Sequence, residues 1–312
     1  MAIVLSHQSA LDCMGLQWFD DGLPRCGLTS ADLRGPTQEE VHQMSMLLYQ
    51  EERPLHVLVA PSANRRCGDT LVKHRFARGL PPDSFFRFHH GVYVCSPELA
   101  LVQMAKGADP VDTILLADRL CAAFVQDESM VGGVRKRQPL TTTAKITEYV
   151  RKSPGVSGIA QVKKALRHID DEAASPREIA LAMLLCLPNR LGGYGLPPAE
   201  LNGRVTVFGE QSRGCSAAKY CDMLWRAQKV AIEYESSAFH GNAETLRADS
   251  RRRSILQASG YQVVTVTNSQ IKDPREFYVV AHNIARLLKT RVRTRVQDWS
   301  QRHLDLRKAI GL

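Results

Sequence analysis

Between Ser175 and Lys289 the apolar pattern switches between helical and strand spacing in a fixed order, and that order limits the fold more than any other feature of the chain. "SPREIALAMLLCLPNR" predicts a helix starting at Ser175. "GRVTVFGE", "AAKYCDMLW" and "KVAIEYES" predict three strands, the last two joined by Arg226 to Lys229. "NAETLRADSRRRSILQASG" predicts a helix ended by Gly260 as a left-handed cap. "YQVVTVT", rich in β-branched residues, predicts a strand, and "DPREFYVVAHNIARLLK" a closing helix. Helix, three strands, helix, strand, helix is an α/β (α+β) series.

The strand pair around Arg226 carries acids where a sheet is normally apolar. If Arg226 and Lys229 close the turn, Trp225 faces Val230 and Leu224 faces Ala231, and counting outward Asp222 faces Glu233. Directly opposed side chains lie about 5 Å apart, and like charges there are destabilising. Glu235 follows Glu233 by two residues and shares its face. Val230, Ile232 and Tyr234, with Met223 and Trp225, take the other face, which can pack on a helix. Such a cluster persists when solvent, a basic partner or a bound cation offsets the repulsion. Oxygen-rich sites suit Mg²⁺, which takes one or two carboxylates and keeps waters for a phosphate substrate. A solvated sheet edge paired with Lys219 or Lys229 is the plainer alternative.

The 312 residues are enough for two domains. In the first part, "EEVHQMSMLLYQEE" has helical spacing, "HVLVA" and "LVKHRFA" read as strands around the basic turn "PSANRRCGD", and "GVYVCSPELALVQMA" reads as a strand, a helix start at Ser96 and a helix. "DPVDTILLADRLCAAFV" predicts a further helix. Periodicity is lost near 126–143, which marks a linker. The expected division is a smaller α+β domain at 1–130, a linker at 131–143 and a second domain at 144–312. Within the second domain, "TAKITEYVRKSPGVSGIAQVKKALRHID" predicts two helices around "SPGVSG", read either as a helix-turn-helix or as a plain hairpin with a solvated basic face.

Net charge is +9, a balance that nucleic-acid binding commonly produces. The eight cysteines form no CxxC and no zinc spacing, so reduced thiols and a cytoplasmic location are expected. No apolar run has membrane-spanning length, and no nucleotide-binding glycine motif is present.

Asp222, the Glu233-Tyr234-Glu235 strand, "FHG" at 239–241, "LRADSRRRSILQASGYQVVTVT" and the upstream "SPREIALAMLL" together resemble the PD-(D/E)XK nucleases, in particular the branch related to very-short-patch repair endonucleases. The likeness covers roughly 175–270. It implies a restriction-endonuclease-like αβββαβ core and a metal-dependent endodeoxyribonuclease or nickase using Mg²⁺ or Mn²⁺ on DNA. By position it gives Asp222 and Glu233 as metal ligands and Glu178 as the acid of the first core helix. Glu235 falls where the general motif has lysine, and His240 becomes the candidate for moving a proton. The zinc ligands of the repair enzymes are absent. Glu178 also fits a capping box with Ser175, and the two roles are compatible. Arg247, Arg251, Arg252 and Arg253 could meet phosphates, or form a solvated face paired with Glu244 and Asp249. The basic tail "KTRVRTRVQDWSQRHLDLRK" could grip nucleic acid or form an ordinary terminal helix.

"LSHQSALDCMG" at 5–15, the strands near 56–77 and "GVYVCSPELALVQMA" resemble the regulator part of AbiEi-like antitoxins. That likeness implies a DNA-binding or partner-binding module, with a toxin or other protein as partner. The same nuclease-like fold would then serve as a non-catalytic platform. The missing lysine favours that alternative; the acid pair favours catalysis.

Overall fold

The computed structural model describes residues 1–16, 19, 22–49, 51, 53–63, 68–127, 129, 130, 133–207, 217–235, 251, 253–294 and 297–312. Two compact units account for them, Met1–Leu120 with Pro139–Ile169, and Cys121–Gln138 with Asp170–Leu312. Among the described residues no helix is long and apolar enough to cross a membrane.

The first unit is built on a six-stranded sheet. Its strands are β1 (Ile3–Leu5), β2 (Arg25–Cys26), β3 (Leu55–Val59), β4 (Leu71–Arg75), β5 (Phe85–His89) and β6 (Val92–Cys95), in the order β2-β5-β6-β1-β3-β4. The short strand β1 is wholly buried, and pairs parallel with β6 and antiparallel with β3. Helices α1 (His7–Gly15), α2 (Gln38–Tyr49), α3 (Pro97–Met104) and α4 (Pro110–Cys121) accompany the sheet. Ser96 caps α3 as its sequence predicts, accepting from the Leu99 amide. Strands β3 and β4 pair parallel, and so are not the two arms of a tight reversal; residues 64–67 of "PSANRRCGD" lie outside the described residues.

Two further expectations are corrected. Part of the supposed linker forms an antiparallel pair, β7 (Phe124–Gln126) with β8 (Val134–Lys136). Helices α5 (Thr143–Lys152) and α6 (Ile159–Ala165) belong to the first unit, not to the C-terminal one. Their apolar stripe decides this: Ile146, Tyr149, Val162 and Ala165 are buried, and the Tyr149 hydroxyl hydrogen-bonds Ser84 Oγ at 2.8 Å.

The second unit follows the order read from sequence. Helix α7 (Pro176–Cys186) is buried along most of its length. Strands β9 (Glu200–Val207), β10 (Ala217–Trp225) and β11 (Val230–Glu235) form an antiparallel meander. Helical residues 253–258 (α8) then lead to β12 (Gln262–Thr267), which pairs parallel with β11. The sheet order is β12-β11-β10-β9. Gly260 takes the left-handed conformation expected of a helix cap, φ 84°. Both faces of the sheet are covered. Met223, Trp225, Val230 and Ile232 are buried, while Leu224 and Ala231 join a core with Val205 and Leu256 of α8.

Helices α9 (Asn268–Lys272), α10 (Pro274–Leu287) and α11 (Trp299–Ala309) complete the unit. The basic tail is therefore an anchored helix over 299–309. Trp299 Nε1 donates to the Gly193 carbonyl, His303 Nδ1 to that of Gly192, and Arg307 to those of Ile271 and Lys272. Gly192 cannot be another residue here: its φ is +88°, and a Cβ would lie 2.3 Å from the Arg302 oxygen.

Candidate functional site

The turn register agrees with the sequence reading: Trp225 pairs with Val230, Leu224 with Ala231 and Met223 with Ile232. Beyond Met223 the two strands separate. Strand β10 stays with β9 as far as Ala217, while β11 stays with β12 as far as Glu235. Asp222 is the first residue past the last β10–β11 pair. Its Oδ2 accepts the Tyr234 backbone amide at 2.5 Å, a donor an unbroken ladder would give to a carbonyl. The sheet thus forks at Asp222, with the carboxylate seated in the fork.

Glu178, in the first turn of α7, lies on the same side of the problem. It is buried, and the Asp222 charge adds to burial in raising its carboxyl above the usual range. Its carboxylate accepts from the Ala174 amide at 2.8 Å, Ser175 Oγ at 2.9 Å and Asn202 Nδ2 at 3.0 Å. Ser175 Oγ in turn accepts the Glu178 amide at 3.2 Å. The cap predicted at Ser175 is present, but the Glu178 side chain reaches the amide of Ala174, one residue before the N-cap. Three of roughly four acceptor positions on Glu178 are thereby filled. That makes it a positioning group first.

Glu233 is 4 % exposed, and Glu235, at the end of β11, is exposed. Among the described residues no group of three or more His, Cys, Asp or Glu side chains is arranged to hold a metal ion. His240, Arg247 and Arg252 lie outside the described residues, as do Glu244 and Asp249. Arg251 is helical and exposed, whereas Arg253 is half-buried.

Sequence reasoning missed two contributors. Asn202 on β9 stands where the register runs between Gly203–Cys221 and Leu201–Met223, that is, opposite Asp222. Its φ of +47° is left-handed, a conformation Asn tolerates better than most residues. Its amide donates to Glu178 and, at 2.6 Å, to the Glu172 carbonyl, so it ties α7 to the fork. The signal was the Asn-Gly dipeptide at 202–203 inside a strand pattern. The other is Tyr234, whose hydroxyl donates to Asn268 Oδ1 at 3.1 Å. Burial raises its pKa, and the neighbouring Arg177 guanidinium opposes this by its charge and a hydrogen bond.

A second ionisable cluster lies in the first unit. His56 Nδ1 and His74 Nε2 are 3.0 Å apart and share a hydrogen bond, and the His7 ring stacks on His74 with centroids at 3.5 Å. Burial lowers the His7 pKa to about 3, and His74, His56 and Lys106 add to the effect. His74 falls to about 4 through burial, His56 and Lys106. His56 is also lowered by burial, against the pull of Asp12. At neutral pH all three rings are uncharged.

No family model matches the chain, and neither a curated protein nor a solved structure is significantly similar to it.

Proposed function

We propose that the second unit is a metal-dependent DNA endonuclease or nickase whose centre is the fork at Asp222. The observation that carries this reading is the strand separation itself. It sets a carboxylate between two diverging strands, beside Glu178 and one position from Glu233, within a unit that runs helix, three-strand meander, helix, parallel strand; that order is the one the resemblance to PD-(D/E)XK nucleases implies.

The donor set fits a hard cation: carboxylates, with neither thiolate nor imidazole among the described members. Two carboxylates are enough for Mg²⁺ or Mn²⁺, since such ions keep waters and take phosphate oxygens for their remaining positions. Asp222 and Glu233 would hold the ion. Its chemistry, when bound, is to acidify a water and stabilise the leaving oxygen. The chain's own residues do the positioning. The Tyr234 amide fixes one Asp222 oxygen. Asn202 holds Glu178 against the strand fork, which keeps a second negative charge near Asp222 and favours a cation there. Glu235, exposed at the strand end, can accept a proton from an attacking water, a role lysine would otherwise share.

Glu235 at the position where the general motif has lysine favours one second reading. In it the same fold is a DNA-binding regulator or antitoxin without catalysis, with a toxin as partner protein. Supercoiled plasmid incubated with and without Mg²⁺ or Mn²⁺ separates the two. Catalysis predicts metal-dependent nicking that falls by at least about 10²-fold in both Asp222→Ala and Glu233→Ala. Salt-sensitive binding with no cleavage by any form would leave the regulator.

A further inference from the structure

We infer that the α5–α6 hairpin of the first unit is a contact surface for the phosphate backbone of nucleic acid. Of its residues from 143 to 167 the only acid is Glu148, and Arg151 and Lys152 already pair with it at 2.7 and 3.3 Å. Lys145, Lys163, Lys164 and Arg167 have no acid on the hairpin to answer them, and all four are exposed. Lys163 and Arg167 are four apart and Lys164 and Arg167 three apart, so the three cations form one patch on α6 and the turn after it.

The opposite side of the hairpin is held rigidly. Ile146, Tyr149, Val162 and Ala165 are buried, Tyr149 hydrogen-bonds Ser84, and Thr142 caps α5 by accepting the Lys145 amide at 3.2 Å. Gly158, at the start of α6, has φ +99°, and a Cβ there would stand 1.9 Å from the Val102 oxygen, so the turn is pressed onto its own unit. A fixed backbone presenting exposed cations suits a polyanion, because little backbone freedom remains to be lost on binding.

The same burial argues against a membrane surface. An interfacial helix needs an exposed apolar face to insert, and none of the large exposed hydrophobic side chains among the described residues lies on α5 or α6. The patch belongs to the first unit and the carboxylate fork to the second, and the patch does not require that fork to be catalytic.

The test uses the full chain in chelator, so cleavage plays no part, with a fluorescent random-sequence DNA duplex titrated across a salt series. The variant carries Lys163→Gln, Lys164→Gln and Arg167→Gln, with amide exchange at Tyr149 confirming an intact hairpin. The expected result is a loss of about 10- to 100-fold in affinity and a log–log salt slope shallower by up to about 2.7, since each phosphate contact contributes about 0.9. The inference is overturned if the parent does not bind duplex, if affinity and slope are unchanged in the triple variant, or if that variant loses only binding to anionic vesicles or an acidic peptide. Binding by the parent in chelator, with no cleavage once Mg²⁺ or Mn²⁺ is supplied, would sink the nuclease reading and leave this surface standing.

Discussion

The two units each gather like ionisable groups into a small space and resolve the conflict in opposite ways. In the first, three imidazoles stack, two of them sharing a hydrogen bond, and burial favours their neutral forms. In the second, carboxylates are surrounded by donors: a backbone amide for Asp222, and an amide, a hydroxyl and a carboxamide for Glu178. The histidine cluster has shed its charge by burial, whereas the carboxylate group is dressed to carry one. A site that sheds charge serves packing; a site that concentrates it against a desolvation penalty needs another reason to exist, and a cation or a proton in transit is such a reason.

Acid should separate the two units most strongly. A histidine whose folded pKa is depressed contributes stability that is present above about 6.5 and lost as pH falls toward the folded value. His7 at about 3 and His74 at about 4 place that loss between pH 6.5 and 3. After correction for intrinsic exchange rates, amides of β1, β3 and β4 should lose on the order of 10²-fold protection between pH 7.5 and 5. Amides of β10 and β11 should change far less. His74→Gln, which keeps a polar group facing His56 but cannot be protonated, should flatten the dependence in the first unit. An identical pH slope in parent and variant would mean the cluster is not what acid attacks.

Asn202→Ala gives the next largest effect. It removes donors to Glu178 and to the Glu172 carbonyl and leaves a left-handed residue without the side chain that tolerates it. A loss of roughly 2 kcal/mol is expected from denaturant unfolding followed in the second unit. Asn202→Gly separates the two causes, since glycine accepts the backbone and lacks only the bonds. Should both variants match the parent, Asn202 would not be what ties α7 to the fork.

What could be read from sequence follows from what is local. The order of elements in the second unit, the Arg226–Lys229 turn, the Ser175 and Ser96 caps and the Gly260 cap all depend on neighbours a few residues apart, and all were legible. The fork at Asp222 was not: alternation predicts a continued ladder to Glu233, and strand separation depends on β9 and β12 drawing β10 and β11 apart. The placement of α5 and α6 was missed for a related reason. Their buried stripe is plain in the sequence, but the surface it covers, including Ser84, is 65 residues before Tyr149. The parallel pairing of β3 and β4 escaped because a basic, glycine-containing connection reads equally as a turn or as part of a crossover. The histidine cluster joins α1, β3 and β4, and no spacing announces it.

Glu178→Gln has the smallest expected effect and bears on the comparison most directly. Its carboxyl is raised above 4.5, chiefly by burial and then by Asp222, although three hydrogen bonds act the other way. A raised carboxyl contributes stability that is complete below 4.5 and is lost as pH rises through the folded value. This slope is opposite in sign to that of the histidines. Glutamine keeps the shape: its Oε1 can take the bonds from Ala174 and Asn202, and its Nε2 can donate to Ser175 Oγ. The variant should therefore match the parent below pH 4.5. Near neutral pH it should differ by no more than about 1 kcal/mol, on the stabilising side, because it removes a charge that burial and Asp222 both oppose. Protection of the Ala174 amide across that pH range reads the difference. A destabilisation of about 2 kcal/mol at neutral pH would show that the ionised Glu178 is held favourably by its donors, and the second unit would then resemble the first in having settled its charges for packing alone.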